Sequence, residues 1–215
     1  MGVLHGVGAS PFVRKVRVAL VEKGMDYELD PVLPFGVSDE YKKMSPLGKV
    51  PCYTPKDGVH IPDSSVIVAY LERTNPNSPL YPENAEDFAR ALFLEEYADS
   101  ALTPALGVLF FQRIVAPMIG QQTDDAAIAT ALEKTIPPIL SWLDAQIAGK
   151  EFFVGNRLSI ADIAIASPFV NFMHGGGVVD AAAYPNIAAF VERMHNRPSF
   201  KAFIAEEKAM FGGSK

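Results

Sequence analysis

The capacity to form β-strands is confined to the first third of this 215-residue chain. Short β-like runs alternate with helix-like runs up to residue 76, whereas no later segment has convincing strand character. Three prolines fall within residues 76–82, a density typical of a linker between folding units. The pattern therefore predicts an α/β domain over residues 1–76, followed by an all-helical domain over residues 84–215.

Seven predicted elements in the order β-α-β-α-β-β-α make up the first domain. Its first helix is well marked, because Ser10 can cap the start, Pro11 suits the first turn and Gly24 follows the end. The Asp57-Gly58 pair predicts a hairpin turn between two antiparallel strands. The predicted elements cover residues 3–5, 11–23, 27–32, 39–44, 52–54, 59–61 and 64–73.

Long helices rich in alanine, leucine, isoleucine and phenylalanine fill the chain from residue 86 onward. Because proline lacks the backbone N–H that a helix interior needs, we expect breaks at Pro104, Pro117 and Pro137-Pro138. A further break is expected at the glycines of residues 175–177, and residues 212–215 are expected to fray. The second domain is therefore predicted to be an α-helical bundle.

The composition narrows the classes of partner. Hydrophobic residues make up 49% and charged residues 20% of the chain, as in globular proteins. A net charge of −6 argues against a nucleic-acid or anionic-membrane surface. We see no secretory signal and no apolar run near the ~20 residues of a membrane span. One cysteine, Cys52, excludes an internal disulfide, so a cytoplasmic location is expected. The acidic net charge favours a small-molecule partner.

Metal binding is not expected. The four histidines lack the spacing of known metal motifs, and Cys52 has no second cysteine beside it. Cys52 is expected to be a buried strand residue rather than a nucleophile.

Three short segments of the first domain could carry chemistry. Ser10 stands where a helix N-terminus favours a bound anion such as a thiolate. Val50-Pro51 precedes a strand, and a cis bond there would expose the Val50 backbone to an extended peptide. Asp63 and Ser64 could hold the amine and carboxylate of an amino acid. Helix capping and an ordinary trans proline remain the alternatives.

As an ordered set, these segments resemble the glutathione-binding domain of cytosolic glutathione transferases, which is thioredoxin-like. The likeness covers nearly the whole chain: Ser159 and Asp162 match the capping box of a central helix in that family's second domain. Because Val7 stands where tyrosine-type members have tyrosine, the chain resembles the serine-type, bacterial-like members.

The resemblance implies glutathione as co-substrate, with no metal, and assigns roles to the three segments. Ser10 would stabilise the thiolate, Val50 and a cis Pro51 would hold the cysteinyl backbone, and Asp63 with Ser64 would hold the γ-glutamyl group. Lys49 could neutralise the glycyl carboxylate. Asp63 is shorter than the glutamate common in the family, which shortens its reach.

A glutathione transferase attacking a hydrophobic electrophile is the implied function, with detoxification as its setting and a homodimer as its assembly. Other glutathione-dependent enzymes on the same fold are a disulfide reductase, a peroxidase, an isomerase and a dehalogenase. A non-catalytic binding or regulatory protein is the rival from another class. Candidates for the electrophile pocket, for which core packing is the alternative, are Phe12, Phe110, Phe111, Phe172 and Met173.

Overall fold

The computed structural model describes residues 1–56 and 58–212, and the chain divides into two compact units. One unit is Met1–Tyr81 together with the segment that begins at Ala205, and the other is Pro82–Ile204. The division falls inside the predicted linker. The segment from Ala205 differs from the predicted boundary, because Glu207 is ion-paired with Arg14 of the first unit. Of the tail that was predicted to fray, Gly212 is the last residue of a helix, and residues 213–215 lie outside the described residues.

Four short strands form one mixed sheet in the first unit, in the order β2-β1-β3-β4. β1 runs parallel to β2 and antiparallel to β3, and β3 runs antiparallel to β4. The strands are β1 (Gly2–His5), β2 (Tyr27–Asp30), β3 (Cys52–Thr54) and β4 (Ile61–Pro62). With the helices below, this arrangement confirms the predicted order of elements.

β4 begins later than the predicted residues 59–61. Its ladder joins Cys52 to Pro62 and Tyr53 to Ile61, so Val59 and His60 lie outside the backbone pairing. Val59 is 69% exposed, and nothing buries it as a strand residue. The antiparallel pairing of these strands is confirmed, while Asp57 of the predicted turn lies outside the described residues.

Three helices complete the first unit: α1 (Pro11–Glu22), α2 (Asp39–Met44) and α3 (Ser64–Thr74). α1 and α3 pack against each other. Their apolar faces and β1 form the core, in which each fully buried aliphatic side chain contributes roughly 1.5–3 kcal/mol. The buried core residues include Leu4, Val13, Val16, Leu20, Ile67, Val68 and Leu71.

The second unit is built from helices. Every residue of α9 from Ile160 to Phe172 is buried, and α9 contacts α4, α5 and α10, so it is the central helix. The helices are α4 (Ala85–Tyr97), α5 (Thr103–Phe110), α6 (Ala116–Met118), α7 (Asp125–Thr130), α8 (Ile136–Ile147), α9 (Ile160–His174) and α10 (Pro185–His195). α11 (Pro198–Gly212) begins in this unit and ends in the first.

The predicted breaks at Pro104 and Pro137-Pro138 are wrong, whereas the helix does end at Met118, one residue after Pro117. A π-helical turn precedes all three sites, and the helix continues through Pro104 and Pro137-Pro138. The wider turn accommodates a residue that lacks an N–H and whose ring crowds the preceding turn. These turns are Ala98–Leu102, Phe111–Val115 and Ala131–Thr135. The predicted break at the glycines is confirmed, since Gly175 ends α9.

The π turns join α4, α5 and α6 into one helical run of 34 residues, Ala85–Met118. Its most apolar window has a mean hydropathy of 1.4, so by length and composition alone it could cross a membrane. This differs from the sequence expectation that no such run exists. Core helices of water-dissolved proteins pass the same test, so one such helix is weak grounds for a membrane location.

A capping box begins α9, at the residues that the sequence analysis matched to this motif. Asp162 Oδ2 accepts hydrogen bonds from the Ser159 N–H at 2.8 Å and the Ser159 hydroxyl at 2.9 Å. Asp162 Oδ1 accepts a third bond from the Phe153 N–H at 2.8 Å. The box thereby joins the start of the central helix to the preceding loop.

Candidate functional site

Ser10 is the N-cap residue of α1, and its Oγ accepts a bond from the Val13 N–H at 3.5 Å. The first turn of α1 holds no acidic residue, so no carboxylate within it offsets the positive end of the helix dipole. Capping uses a lone pair of the hydroxyl, whereas donation uses its proton. Ser10 is half-buried and can therefore cap α1 and still donate a hydrogen bond to an anion.

Gly6 brings the loop before Ser10 close to the second predicted segment. A Cβ at Gly6 would lie 2.5 Å from Val13 Cγ2 and 3.1 Å from Val50 Cβ. Gly6 also has a φ of +148°, which side chains rarely adopt. Only glycine allows this loop to pass so closely between α1 and the Val50 segment.

The Val50–Pro51 peptide bond is cis. The carbonyl of Lys49 just before it accepts two hydrogen bonds, from the Tyr41 hydroxyl at 3.0 Å and from Ser45 Oγ at 2.8 Å. Burial raises the pKa of Tyr41 to about 12, so its hydroxyl stays protonated and remains a donor. These two side chains fix the orientation of the peptide that leads into the cis bond.

Val50 itself keeps its backbone available. Among residues 1–56 and 58–212, no hydrogen bond is made by either its N–H or its C=O. A free N–H and C=O on one residue are what an extended peptide needs in order to pair as an added strand. Lys49, the residue before Val50, is exposed.

Asp63 stands at the N-cap of α3 with a φ of +77°, a strained conformation for a residue other than glycine. Its Oδ1 accepts bonds from the N–H groups of Ser65 at 2.9 Å and Val66 at 3.2 Å. The Asp63 N–H donates to the Pro51 carbonyl at 3.2 Å, which links this segment to the cis proline. Oδ2 takes part in neither capping bond.

Ser64 is buried, with 3% of its surface exposed, yet its hydroxyl has no hydrogen-bond partner in the described part of the chain. The oxygen is not fully enclosed, since within the described residues the enclosed side-chain N or O atom that lacks a partner is Arg193 Nε. Contacts link the three predicted segments in series: Gly6 lies between Val13 of α1 and Val50, and the Asp63 N–H bonds the Pro51 carbonyl.

The pocket candidates differ in their surroundings. Phe172 is 2% exposed and packs in the core of the helical unit, beside Gly177. Phe110 is half-buried, with its ring centroid 6.5 Å from that of His174, and Met173 is 39% exposed. Phe12 and Phe111 are half-buried and stay predictions.

Cys52 is buried, and its Sγ lies 3.7 Å from the Met44 carbonyl. Burial raises the pKa of this thiol to about 11, which leaves almost no thiolate at neutral pH. No cluster of three or more potential metal-binding side chains occurs within the described ranges.

Sequence reasoning missed Gly6, Tyr41, Ser45 and the pair Arg14–Glu207. Gly6 and Tyr41 act through contacts with segments about 8 to 45 residues away. Arg14 and Glu207 are separated by 193 residues, and each reads locally as an ordinary charged helix residue. No local pattern distinguishes them.

A thioredoxin-like unit with a cis proline before β3, followed by a helical unit, is the architecture associated above with glutathione transferases. Residues 4–79 match the family model for the glutathione S-transferase N-terminal domain. Residues 110–207 match the model for the glutathione S-transferase C-terminal domain. The chain belongs to the glutathione S-transferase family.

Its relatives include proteins named glutathione S-transferase and proteins named elongation factor 1-gamma. The chain is 27% identical to a glutathione S-transferase of Hyoscyamus muticus, over 94% of this chain and 96% of that protein. It is 26% identical to elongation factor 1-gamma 2 of Oryza sativa subsp. japonica, over 96% of this chain. That match covers only 49% of the elongation factor, so the chain spans about half of it.

Solved structures show the same fold. A glutathione S-transferase from Rhodospirillum rubrum F11 superposes with a TM-score of 0.85 at 27% identity, covering 94% of this chain and 91% of that one. A glutathione S-transferase from Methylobacterium radiotolerans JCM 2831, solved in complex with glutathione sulfonate, gives 0.78 at 27% identity and covers 94% of each chain.

Proposed function

We propose that this chain is a glutathione transferase in which Ser10 stabilises the thiolate of bound glutathione. One observation carries the proposal: the Ser10 hydroxyl caps α1 through a lone pair, keeps its proton for donation and lies at the positive end of the helix. The thiol proton leaves to solvent water, and the thiolate sulfur forms a carbon–sulfur bond with a hydrophobic electrophile. Either a leaving group departs with the electron pair of its broken bond, or the π electrons of an activated double bond move to the neighbouring atom, which takes a proton from water.

Glutathione fits the three segments by its chemistry. Its cysteinyl backbone pairs with the N–H and C=O of Val50, as an added strand pairs with a sheet edge. The γ-glutamyl amine binds Asp63 through Oδ2, and its carboxylate accepts from the Ser64 hydroxyl and the N-terminus of α3. Lys49 neutralises the glycyl carboxylate.

The expected lowering of the glutathione thiol pKa can be given a magnitude. A free thiol with a pKa of about 8.5 is only a few per cent ionised at neutral pH. A hydrogen bond from Ser10 together with the helix N-terminus lowers that pKa by about two units, equivalent to ~2.7 kcal/mol. Ser10 thereby stabilises a charge and does not remove the proton as a base.

The test is the ultraviolet absorbance of the glutathione thiolate against pH, for wild type and Ser10→Ala. Ser38 offers a matched control, because it caps α2 in the same unit by accepting the Tyr41 N–H at 3.1 Å. We expect a thiol pKa near 6.5 for wild type and Ser38→Ala, and a clearly higher value, between about 6.5 and 8.5, for Ser10→Ala, because the helix N-terminus remains. Ser10→Thr, which keeps the hydroxyl, should restore part of the shift.

Two other outcomes would point elsewhere. Glutathione bound without any shift in its pKa would favour a ligand carrier on the same fold. No binding at millimolar glutathione would favour a non-catalytic interaction protein, the alternative to which the match with elongation factor 1-gamma gives weight. Among glutathione-dependent enzymes, a reductase working through its own cysteine is disfavoured, because Cys52 is buried with a raised pKa.

The remaining features of the proposal follow from family membership. The electrophile binds apolar residues of the helical unit, with Phe110, Phe111 and Met173 as candidates. Turnover of model electrophiles, hydroperoxides and mixed disulfides separates a transferase from a peroxidase or a reductase. A cytoplasmic homodimer completes the proposal, and sedimentation at micromolar concentration tests the dimer.

A further inference from the structure

The loop before Ser10 makes few backbone hydrogen bonds of its own. The Gly6 N–H donates to the carbonyl of Asp30, the last residue of β2, and the Val7 N–H donates to the Val32 carbonyl, each at 2.8 Å. The Ser10 N–H donates to the Val7 carbonyl at 3.0 Å. Between these bonds lie Gly8 and Ala9, which directly precede Ser10. Whatever holds these two residues also sets the position of the Ser10 hydroxyl.

Arg14 holds the Ala9 end of the loop. Its Nη2 donates to the Ala9 carbonyl at 3.3 Å. The same guanidinium makes a two-pronged pair with Glu207 of α11, with Nε to Oε1 at 2.8 Å and Nη2 to Oε2 at 2.5 Å. Both side chains are completely buried. The fork geometry of arginine therefore fixes the Ala9 carbonyl relative to Glu207.

Arg17, one turn further along α1, lies against Gly8. A Cβ at Gly8 would be 2.6 Å from Arg17 Nη1. Arg17 donates to Glu206 at 3.2 and 2.8 Å and to the Tyr27 hydroxyl at 2.8 Å. Two successive residues of α11 thus hold two arginines of α1, and these arginines lie directly behind the two residues before Ser10.

Charge alone does not account for this arrangement. A cation placed to attract a thiolate would be left without an anionic partner, whereas Glu207 neutralises Arg14 at hydrogen-bonding distance. A buried ion pair also adds little to stability over an apolar pair, because both charges lose their hydration. The ion pair instead fixes the position of the Ala9 carbonyl, which directly precedes Ser10.

We propose that the end of α11 acts as a clamp that positions Ser10: Glu207 through Arg14 and Glu206 through Arg17 fix the Gly8–Ala9 backbone. Arg14 and Glu207 are positioning residues and do not touch the substrate. The clamp is a property of the free protein, whereas its effect on the thiol rests on the proposed function.

The principal variant is Glu207→Gln, which keeps the shape of the side chain and removes its charge. Glu72→Gln is the matched control, because Glu72 pairs at 2.7 Å with the fully buried Lys23 at the other end of α1. Glu206→Gln is the milder second variant, since the Glu206 side chain is 44% exposed. It keeps the clamp testable if Glu207→Gln does not fold.

The first measurement is amide hydrogen exchange of residues 8–10 in the free protein. We expect exchange about tenfold faster or more in Glu207→Gln, a smaller increase in Glu206→Gln and no change there in Glu72→Gln. Unchanged exchange in both clamp variants would overturn the clamp, whether or not the protein binds glutathione.

The second measurement is the thiolate titration of bound glutathione. We expect the thiol pKa to rise by about one unit in Glu207→Gln and to stay at the wild-type value in Glu72→Gln. A lower pKa in Glu207→Gln would mean that the unmasked charge of Arg14 acts directly, which overturns positioning. If wild type binds no glutathione, the proposed function and this effect on the thiol both fail, and the exchange data still decide the clamp.

Discussion

Asp162 should give the helical unit a pH dependence opposite to that of ordinary acid denaturation. Its carboxyl is fully buried at the start of α9, and burial raises its pKa from 3.8 to about 6. The hydrogen bonds from Phe153 and Ser159 favour the ionised form and oppose this rise without cancelling it. The folded chain therefore binds this proton more tightly than the unfolded chain does.

The sign and size of the effect follow from proton linkage. Between pH 3.8 and about 6 the folded state carries more of this proton than the unfolded state, so the free energy of unfolding falls as pH rises. The stabilisation by protonated Asp162 is fully present below pH 3.8 and is lost above about pH 6. A rise of about two units corresponds to about 3 kcal/mol between these limits.

Urea unfolding at a series of pH values from 4 to 7, for wild type and Asp162→Asn, measures this effect. Other carboxylates titrate in both proteins, so any contribution that Asp162→Asn leaves unchanged cancels in the difference. We compare the free energy of unfolding of wild type with that of Asp162→Asn at each pH. The difference in favour of wild type should shrink by about 2–3 kcal/mol from acid to neutral pH. An advantage that grows with pH would refute the reasoning, since the hydrogen bonds would then outweigh burial.

Three further substitutions test the site. Gly6→Ala places a Cβ 2.5 Å from Val13 Cγ2, so a thermal melt should show a loss of about 2–3 kcal/mol; an unchanged melting temperature would contradict the close approach. Tyr41→Phe removes one of the bonds to the Lys49 carbonyl and should cost about 1 kcal/mol with weaker glutathione binding by calorimetry; unchanged affinity would count against an oriented peptide. Ser64→Ala should leave stability within about 0.5 kcal/mol and weaken glutathione binding about tenfold; the reverse pattern would make Ser64 structural.

The sequence predicted those features of the fold that depend on residues within one helical turn, such as the start of a helix. Ser10 with Pro11 predicted the start of α1 at the residue where the structure has it, because a cap and a proline act within one turn. The break predicted at Pro104 was wrong because it considered only the local rule that a proline is unfavourable inside a regular α-helix. In the structure a single π turn accommodates this proline, and the helix continues. Packing, which the local pattern does not contain, decided that outcome.

The parts of the site that sequence could not predict depend on distant contacts. Val50-Pro51 marked the segment, but the two bonds that orient the Lys49 carbonyl come from Tyr41 and Ser45, one on α2 and one just after it. The clamp depends on a residue 193 positions from Arg14, and no periodicity or motif joins two such positions.

Residue type alone also fails to separate a purely structural cap from the cap that we propose to be functional. Ser159 and Ser10 are both serines at the N-cap of a helix, but Ser159 is buried and its hydroxyl donates to Asp162, so its proton is already used. Ser10 is half-buried, caps at the longer distance of 3.5 Å and has no acidic residue in the turn that follows. The hydrogen-bonding capacity that remains after capping is what distinguishes them, and in this chain Ser10 retains it while Ser159 does not.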